Sequence, residues 1–200
     1  MISRRIVRAL AVTVLLASAA TGCASFRRGD VPATTPWPPA PSASKKSVSL
    51  LLANGTTNMN GKAADAPPAM VAKWRELTKT AYSDSGLFSA VVPENTPSDI
   101  RAEVRINDEG TFSPVLSFLS GFTLTLLPSS ATDRISMHTD FKNADGDVLA
   151  TIEKSESMTM WTQFFLVFVM PFNWPGTVAN DTFRDLSRAT LAEAHAKGVL

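Results

Sequence analysis

Apolar and polar positions alternate strictly in three places along this chain. Ile100, Ala102, Val104 and Ile106 fall on one side of an extended segment, with Arg101, Glu103, Arg105 and Asn107 on the other. Ile135, Met137, Thr139 and Phe141 oppose Arg134, Ser136, His138 and Asp140 in the same way, and Val148, Ala150 and Ile152 oppose Leu149, Thr151 and Glu153. A period of two predicts strands with one dry and one wet face. Between the last two, Asn143-Ala144-Asp145-Gly146-Asp147 supplies a hairpin turn, because Asp-Gly accepts positive φ. The apolar run 48–53, ended by Asn54-Gly55, and the run 88–92, bounded by Pro93 and Pro97, predict two more strands.

The period changes after Pro67 and Pro68, where Met70, Val71, Trp74, Leu77, Thr78, Ala81 and Tyr82 form one helical stripe that stops before Gly86. Burial of that stripe against a sheet explains Trp74 without a ligand. A closing helix is predicted from about residue 177, with Phe183, Leu186, Thr190 and Ala194 along one side. The predicted class is α+β: an antiparallel sheet of about five strands with two helices on one face, in the order β-α-β-β-β-β-α. This order looks similar to the small domains of several envelope lipoproteins and assembly accessories, although no motif ties the chain to one of those families.

Two segments break the pattern. Residues 110–132 and 157–180 contain no charged side chain, in a protein whose residues are 18% charged. The first holds Phe112, Val115, Leu116, Phe118, Leu119, Phe122, Leu124, Leu126 and Leu127. The second holds Trp161, Phe164, Phe165, Leu166, Val167, Phe168, Val169, Met170, Phe172 and Trp174. Residues 164–170 are apolar without interruption, so no single face of a helix or strand accounts for them. In an antiparallel meander both segments leave the sheet at the end opposite Asp145-Gly146, where they make one apolar cap.

Membrane spans fit this cap poorly. Pro114, Gly121 and Pro128 interrupt the first segment, and the apolar part of the second, 160–172, is about 20 Å long as a helix against a hydrocarbon core of about 30 Å. Monotopic insertion with Trp161 and Trp174 at the interface, and burial as core or as a self-association surface, both remain open at this point. The residues expected to form the apolar interaction surface are Phe122, Trp161, Phe165, Phe168 and Trp174.

The N-terminus supplies the remaining signal. Arg4, Arg5 and Arg8 precede an uncharged run, 9–20, and then Ala20-Thr21-Gly22-Cys23. A basic head, a short apolar stretch and small residues make an export signal. Cys23 is the only cysteine, so it has no disulfide partner within the chain. Residues 1–23 resemble the signal and lipobox of bacterial lipoproteins, with Ala20 where that family more often has Leu. The resemblance implies cleavage between Gly22 and Cys23 and acylation of Cys23, with palmitate-type chains holding the protein in membrane lipid. Ala24, where Asp would retain a lipoprotein at the inner membrane, resembles the pattern sorted to the outer membrane, on its periplasmic face.

Residues 1–22 thus read as a signal peptide. Residues 23–46, with Pro32, Pro36, Pro38, Pro39 and Pro41 among Ala, Ser and Thr, read as an extended tether reaching roughly 70 Å. Residues 47–200 read as one globular domain. Without residues 1–22 the chain carries 16 basic and 18 acidic side chains, which gives no reason to expect nucleic acid as a partner.

Signatures of familiar chemistry are missing. There is no Cys pair, no His-Glu-x-x-His, no Gly-x-Ser-x-Gly and no glycine-rich phosphate loop. Residues 141–152 brush against a calcium-loop pattern, but Phe141 and Ile152 occupy its first and last positions, so the hairpin reading is preferred. His138 with Glu103, Asp133 and Asp140 could in principle form a polar set, yet acids on a wet strand face are the expected half of the alternation. His195 near the end of the last helix suits the helix dipole.

The expectation is therefore not an enzyme and not a cofactor protein, but a lipid-anchored binding or assembly accessory, partnered by membrane lipid and by itself or another envelope protein. A carrier or sensor of an apolar ligand, and an enzyme with an unrecognised site, are the alternatives.

Overall fold

The computed structural model describes residues 22–32, 34, 36–40, 44–53 and 55–200. All of the signal segment except Gly22 therefore lies outside the described residues. Eight strands form one sheet: β1 (Gly22–Arg27), β2 (Ser47–Leu52), β3 (Thr56–Met59), β4 (Lys62–Asp65), β5 (Ala90–Pro93), β6 (Ile100–Phe112), β7 (Ser129–Asn143) and β8 (Val148–Gln163). The spatial order is β1-β8-β7-β6-β2-β5, with the β3–β4 hairpin joined through β3 to β6. Among the described residues three α-helices accompany it, α1 (Pro68–Asp84), α2 (Pro114–Phe122) and α3 (Pro175–Ala196), with a 3-10 helix at Phe164–Phe168.

The class is α+β as expected, but the sheet is mixed, with eight strands instead of five and three α-helices instead of two. β2 runs parallel to both β5 and β6. Parallel pairing follows from the β2-α1-β5 order, because a helix crossover returns the chain to the same end of the sheet. The β3–β4 hairpin turns at Asn60 and Gly61, both at positive φ, so the Asn-Gly pair was its signal within a stretch that otherwise reads as polar loop. β6, β7 and β8 form the antiparallel meander, and the Asp145-Gly146 turn joins β7 to β8 with Gly146 at φ 96°.

The alternating positions face as the pattern predicts except at Val148, which a β-bulge places opposite Lys142 and leaves exposed. Ile100, Ala102, Val104, Ile106, Ile135, Met137, Phe141 and Ile152 are buried beneath α1 and α3. Trp74 and Phe183, one from each helix, meet at 5.8 Å between ring centroids. On the other face of the sheet, ion pairs join Lys142 to Glu103 at 2.7 Å and Arg105 to Asp140 at 3.1 Å.

The expected tether differs most. Its first residues form β1, which pairs with β8 over six positions from Gly22–Gln163 to Arg27–Met158. The cause is Glu156, a fully buried carboxylate on the dry face of β8. It accepts hydrogen bonds from the backbone N–H groups of Gly29 (2.8 Å), Asp30 (3.2 Å) and Val31 (2.9 Å), and from the Arg27 guanidinium at 3.2 Å. Arg27 in turn pairs with Asp185 on α3. Further along, Trp37 packs against the core with Arg188 stacked 5.4 Å from its ring centroid.

Burial alone would push the Glu156 carboxyl upward, but the three backbone donors and Arg27 outweigh it and hold the group below its ordinary range. Its stabilising contribution is therefore present above the unfolded value and fades as pH falls through the folded one. Glu156→Ala is expected to lower unfolding free energy at neutral pH by about 3–5 kcal/mol, since it orphans three N–H groups and leaves the Arg27 guanidinium with Asp185 alone. In urea titrations the gap from wild type narrows on acidification to about pH 3.

Candidate functional site

α2, the 3-10 helix and the start of β1 occupy one end of the sheet. β6 leaves the sheet at Phe112 opposite Ala131, β7 enters at Ser129 opposite Thr162, and β8 ends at Gln163 opposite Gly22. The two charge-free segments are stitched together by the Phe164 N–H, which donates to the Thr125 carbonyl at 3.0 Å. To reach that position the chain passes through Leu124 and Thr125 at φ 50° and 61°, a left-handed turn that a β-branched residue adopts only at a cost.

α2 forms locally. Ser113 caps it by accepting from the Leu116 N–H at 3.3 Å, and Pro114 fits the first turn, where no N–H partner is needed. Its fate in packing is unusual, because only Ser120 is buried while Val115, Leu116, Phe118, Leu119 and Phe122 are exposed around it. Those five positions fall within one arc of about 160°, with Ser117, Ser120 and Gly121 on the other side, so it is the apolar face of an amphipathic helix that is left uncovered. Of the nineteen large hydrophobic side chains exposed among the described residues, fourteen lie in residues 112–127 and 161–174.

Four of these decide the scale. Phe118, Phe122, Phe168 and Phe172 are 71, 78, 76 and 86% exposed, which amounts to roughly 600 Å² at about 200 Å² per ring side chain. That alone matches the largest patch of a typical monomer, about 300–600 Å². Of the expected surface residues, Phe122 closes α2, Trp161 lies in β8, Phe165 and Phe168 lie in the 3-10 helix, and Trp174 caps the N-terminus of α3. All five are at this end of the sheet and none is in the buried core. No helix among the described residues is long and apolar enough to cross a membrane.

Cys23 belongs to the same end. It pairs with Thr162, and its partly exposed Sγ lies 3.5 Å from Thr162 Oγ1. Gly22 lies so close to the backbone of Leu166 and Val167 that no side chain fits there.

The polar groups around His138 are paired or solvated. His138 Nε2 lies 3.3 Å from Asp140 Oδ1, and Asp140 also accepts from Thr151 at 2.6 Å. Of the polar set considered around His138, only Asp140 reaches it: Glu103 pairs with Lys142, and Asp133 lies on the opposite, helix-covered face, beside Gly110. No group of three potential metal ligands occurs among the described residues. Clefts of about 100–450 Å³ among the described residues include five that no apolar residue of the two charge-free segments lines.

Sequence reasoning passed over Asp108 and considered Asp133 only as a member of the polar set around His138; both continue the dry faces of β6 and β7 towards the apolar end. Asp108 Oδ1 is buried without a partner. Burial, and then repulsion from Asp133, push the Asp108 carboxyl up to about 6, and burial raises Asp133 as well.

No family model matches this sequence, and no characterised protein matches it by sequence. Solved structures with a related course of chain include protein XCC0632 from Xanthomonas campestris, of family DUF330, at TM-score 0.43 and 12% identity, covering 83% of this chain and 91% of that one. A PelC dodecamer from Paraburkholderia phytofirmans gives 0.36 and 8%, covering 84% and 96%. A minor lipoprotein from Acinetobacter baumannii gives 0.38 and 12%, covering 76% and 92%. At such scores these likenesses assign no family and carry no role to this chain.

With the folded value of Asp108 raised, the neutral carboxyl favours the fold at low pH, and that benefit is lost as pH rises through about 6. Asp108→Asn is expected to raise the melting temperature at neutral to mildly alkaline pH by about 2–4 °C, allowing for partial exposure of the group. Calorimetry near pH 4 should find the two proteins equal.

Proposed function

We propose that this is a lipid-anchored envelope protein whose globular domain works by binding, as an accessory in the assembly or upkeep of an envelope component. Cys23 is the acyl acceptor and becomes the mature N-terminus after cleavage behind Gly22. The protein sits at the outer membrane on the periplasmic face, with no catalytic set and no cofactor.

One observation carries this reading: the only cysteine and two charge-free apolar segments, separated by up to 151 positions in sequence, meet at one end of the sheet. An anchor residue placed beside a large uncovered apolar surface is economical for a protein that works at a membrane. The outward exposure of Phe118, Phe122, Phe168 and Phe172 favours a binding surface over the cavity lining that a carrier of apolar ligands needs.

Intact-mass analysis of the protein extracted from membranes tests the anchor. The expected product begins at Cys23 and carries the mass of a diacylglyceryl group with or without an amide-linked acyl chain. Cys23→Ala should abolish that mass and leave an uncleaved precursor. A wild-type product unmodified at Cys23, or one released from membranes without detergent, would overturn the assignment.

A further inference from the structure

Resting on the assignment of Cys23 as the acyl acceptor, we infer that the apolar end of the sheet is covered by the bilayer itself: α2, the turn after it, the 3-10 helix and Trp174 insert into the membrane interface beside the anchor, without spanning it.

The geometry leaves no slack between anchor and body. β1 is hydrogen-bonded to β8 from its first residue, and Glu156 holds the chain immediately after it through Gly29, Asp30 and Val31. Cys23 faces Thr162, two residues before Phe164, so acyl chains on Cys23 leave the protein where the apolar segments are most exposed. A tether of tens of ångströms would let this surface choose among partners. An anchor fixed in the sheet brings it to the lipid, and the first attachment makes the second effectively intramolecular.

Composition points to the same occupant. A protein interface, even an obligate one, is about 65% apolar at its core and enriched in Arg. Here no charged residue occurs in 110–132 or 157–180. α2 is nine residues, about 13 Å, a length suited to lying in the interface plane and far short of a crossing. Trp161 and Trp174 flank the 3-10 helix, the position that amphipathic rings take at the headgroup level.

The polar side chains of α2 are Ser117 and Ser120, with Ser113 as its cap, where most interfacial helices carry Lys or Arg. Hydrophobic insertion and the acyl chains therefore supply the attachment, and anionic headgroups add little. In this orientation β7 and β8 rise away from the membrane and present the Asp145-Gly146 hairpin to the aqueous side.

Tryptophan quenching by lipids brominated on the acyl chain is the test, with the mature protein reconstituted in phosphatidylcholine vesicles. Quenching is expected, and Trp161→Phe with Trp174→Phe should remove most of it, since of the remaining two tryptophans Trp74 is buried and Trp37 packs against the core. Replacing a third of the lipid by phosphatidylglycerol, or adding salt to molar concentration, should change it less than about twofold. Phe122→Asp with Phe165→Asp, both exposed positions, should abolish quenching while leaving the acyl mass and the melting temperature unchanged.

Absence of quenching in acylated wild type overturns the inference and leaves the anchor standing. Crosslinked dimers formed in that sample through residues 112–127 and 164–172 would identify a second copy as the cover. Quenching that persists in the double Asp variant also overturns it. Quenching of a product that carries no acyl mass upholds docking and removes the anchor.

Discussion

The buried carboxylate of Glu156 governs how this molecule is put together. A charge taken fully out of water costs several kcal/mol unless it is matched, and within the described residues the matching donors come from one short stretch, Arg27 and Gly29 to Val31. That stretch therefore has to lie across the dry face of β8. Once it does, the six residues of β1, which end at Arg27, are in register to complete the sheet edge, and Arg27 reaches Asp185 so that the edge strand and α3 are tied together. The position of Cys23 is a consequence of this chain of contacts.

Element lengths explain why an apolar end is left over. β7 and β8 run for fifteen and sixteen residues, about 50 Å of extended chain, whereas α1 and α3 of seventeen and twenty-two residues measure about 25 and 33 Å. Helices of that length crossing the sheet cover only part of it. Asp108 and Asp133 mark the margin of the covered region: they keep the inward phase of the dry face, but protein no longer shields them completely. Beyond them the chain supplies α2 and the 3-10 helix, whose largest side chains, Phe118, Phe122, Phe165 and Phe168, are left exposed by the described protein.

Much of this was legible locally. The alternation at 100–106, 135–141 and 150–152 identified the faces of the three central strands, with the exception of Val148, which a β-bulge places opposite Lys142 and leaves exposed, and the Trp74 and Phe183 stripes identified the two packing helices, because burial on one side imposes a period. The charge-free segments marked the surface now seen at one end. Glu156 was visible as a charge at an inward position of β8, continuing Ala150 and Ile152, but its donors lie more than 120 positions away and no local rule connects them. The proline content of 23–46 argued for a tether, since proline cannot serve a ladder. The six residues of β1, however, contain no proline.

The sequence by itself determined the strand faces, the packing helices, the lack of charge in 110–132 and 157–180, and the signal-like character of the N-terminus, all of which are properties of neighbouring residues under a fixed backbone period. Only the tertiary structure decided that β2 pairs in parallel with its neighbours, that β1 closes the sheet, and that Cys23 meets both apolar segments at one edge. Those outcomes depend on hydrogen bonds and charge compensation between residues far apart along the chain, and such partners are chosen by the whole fold.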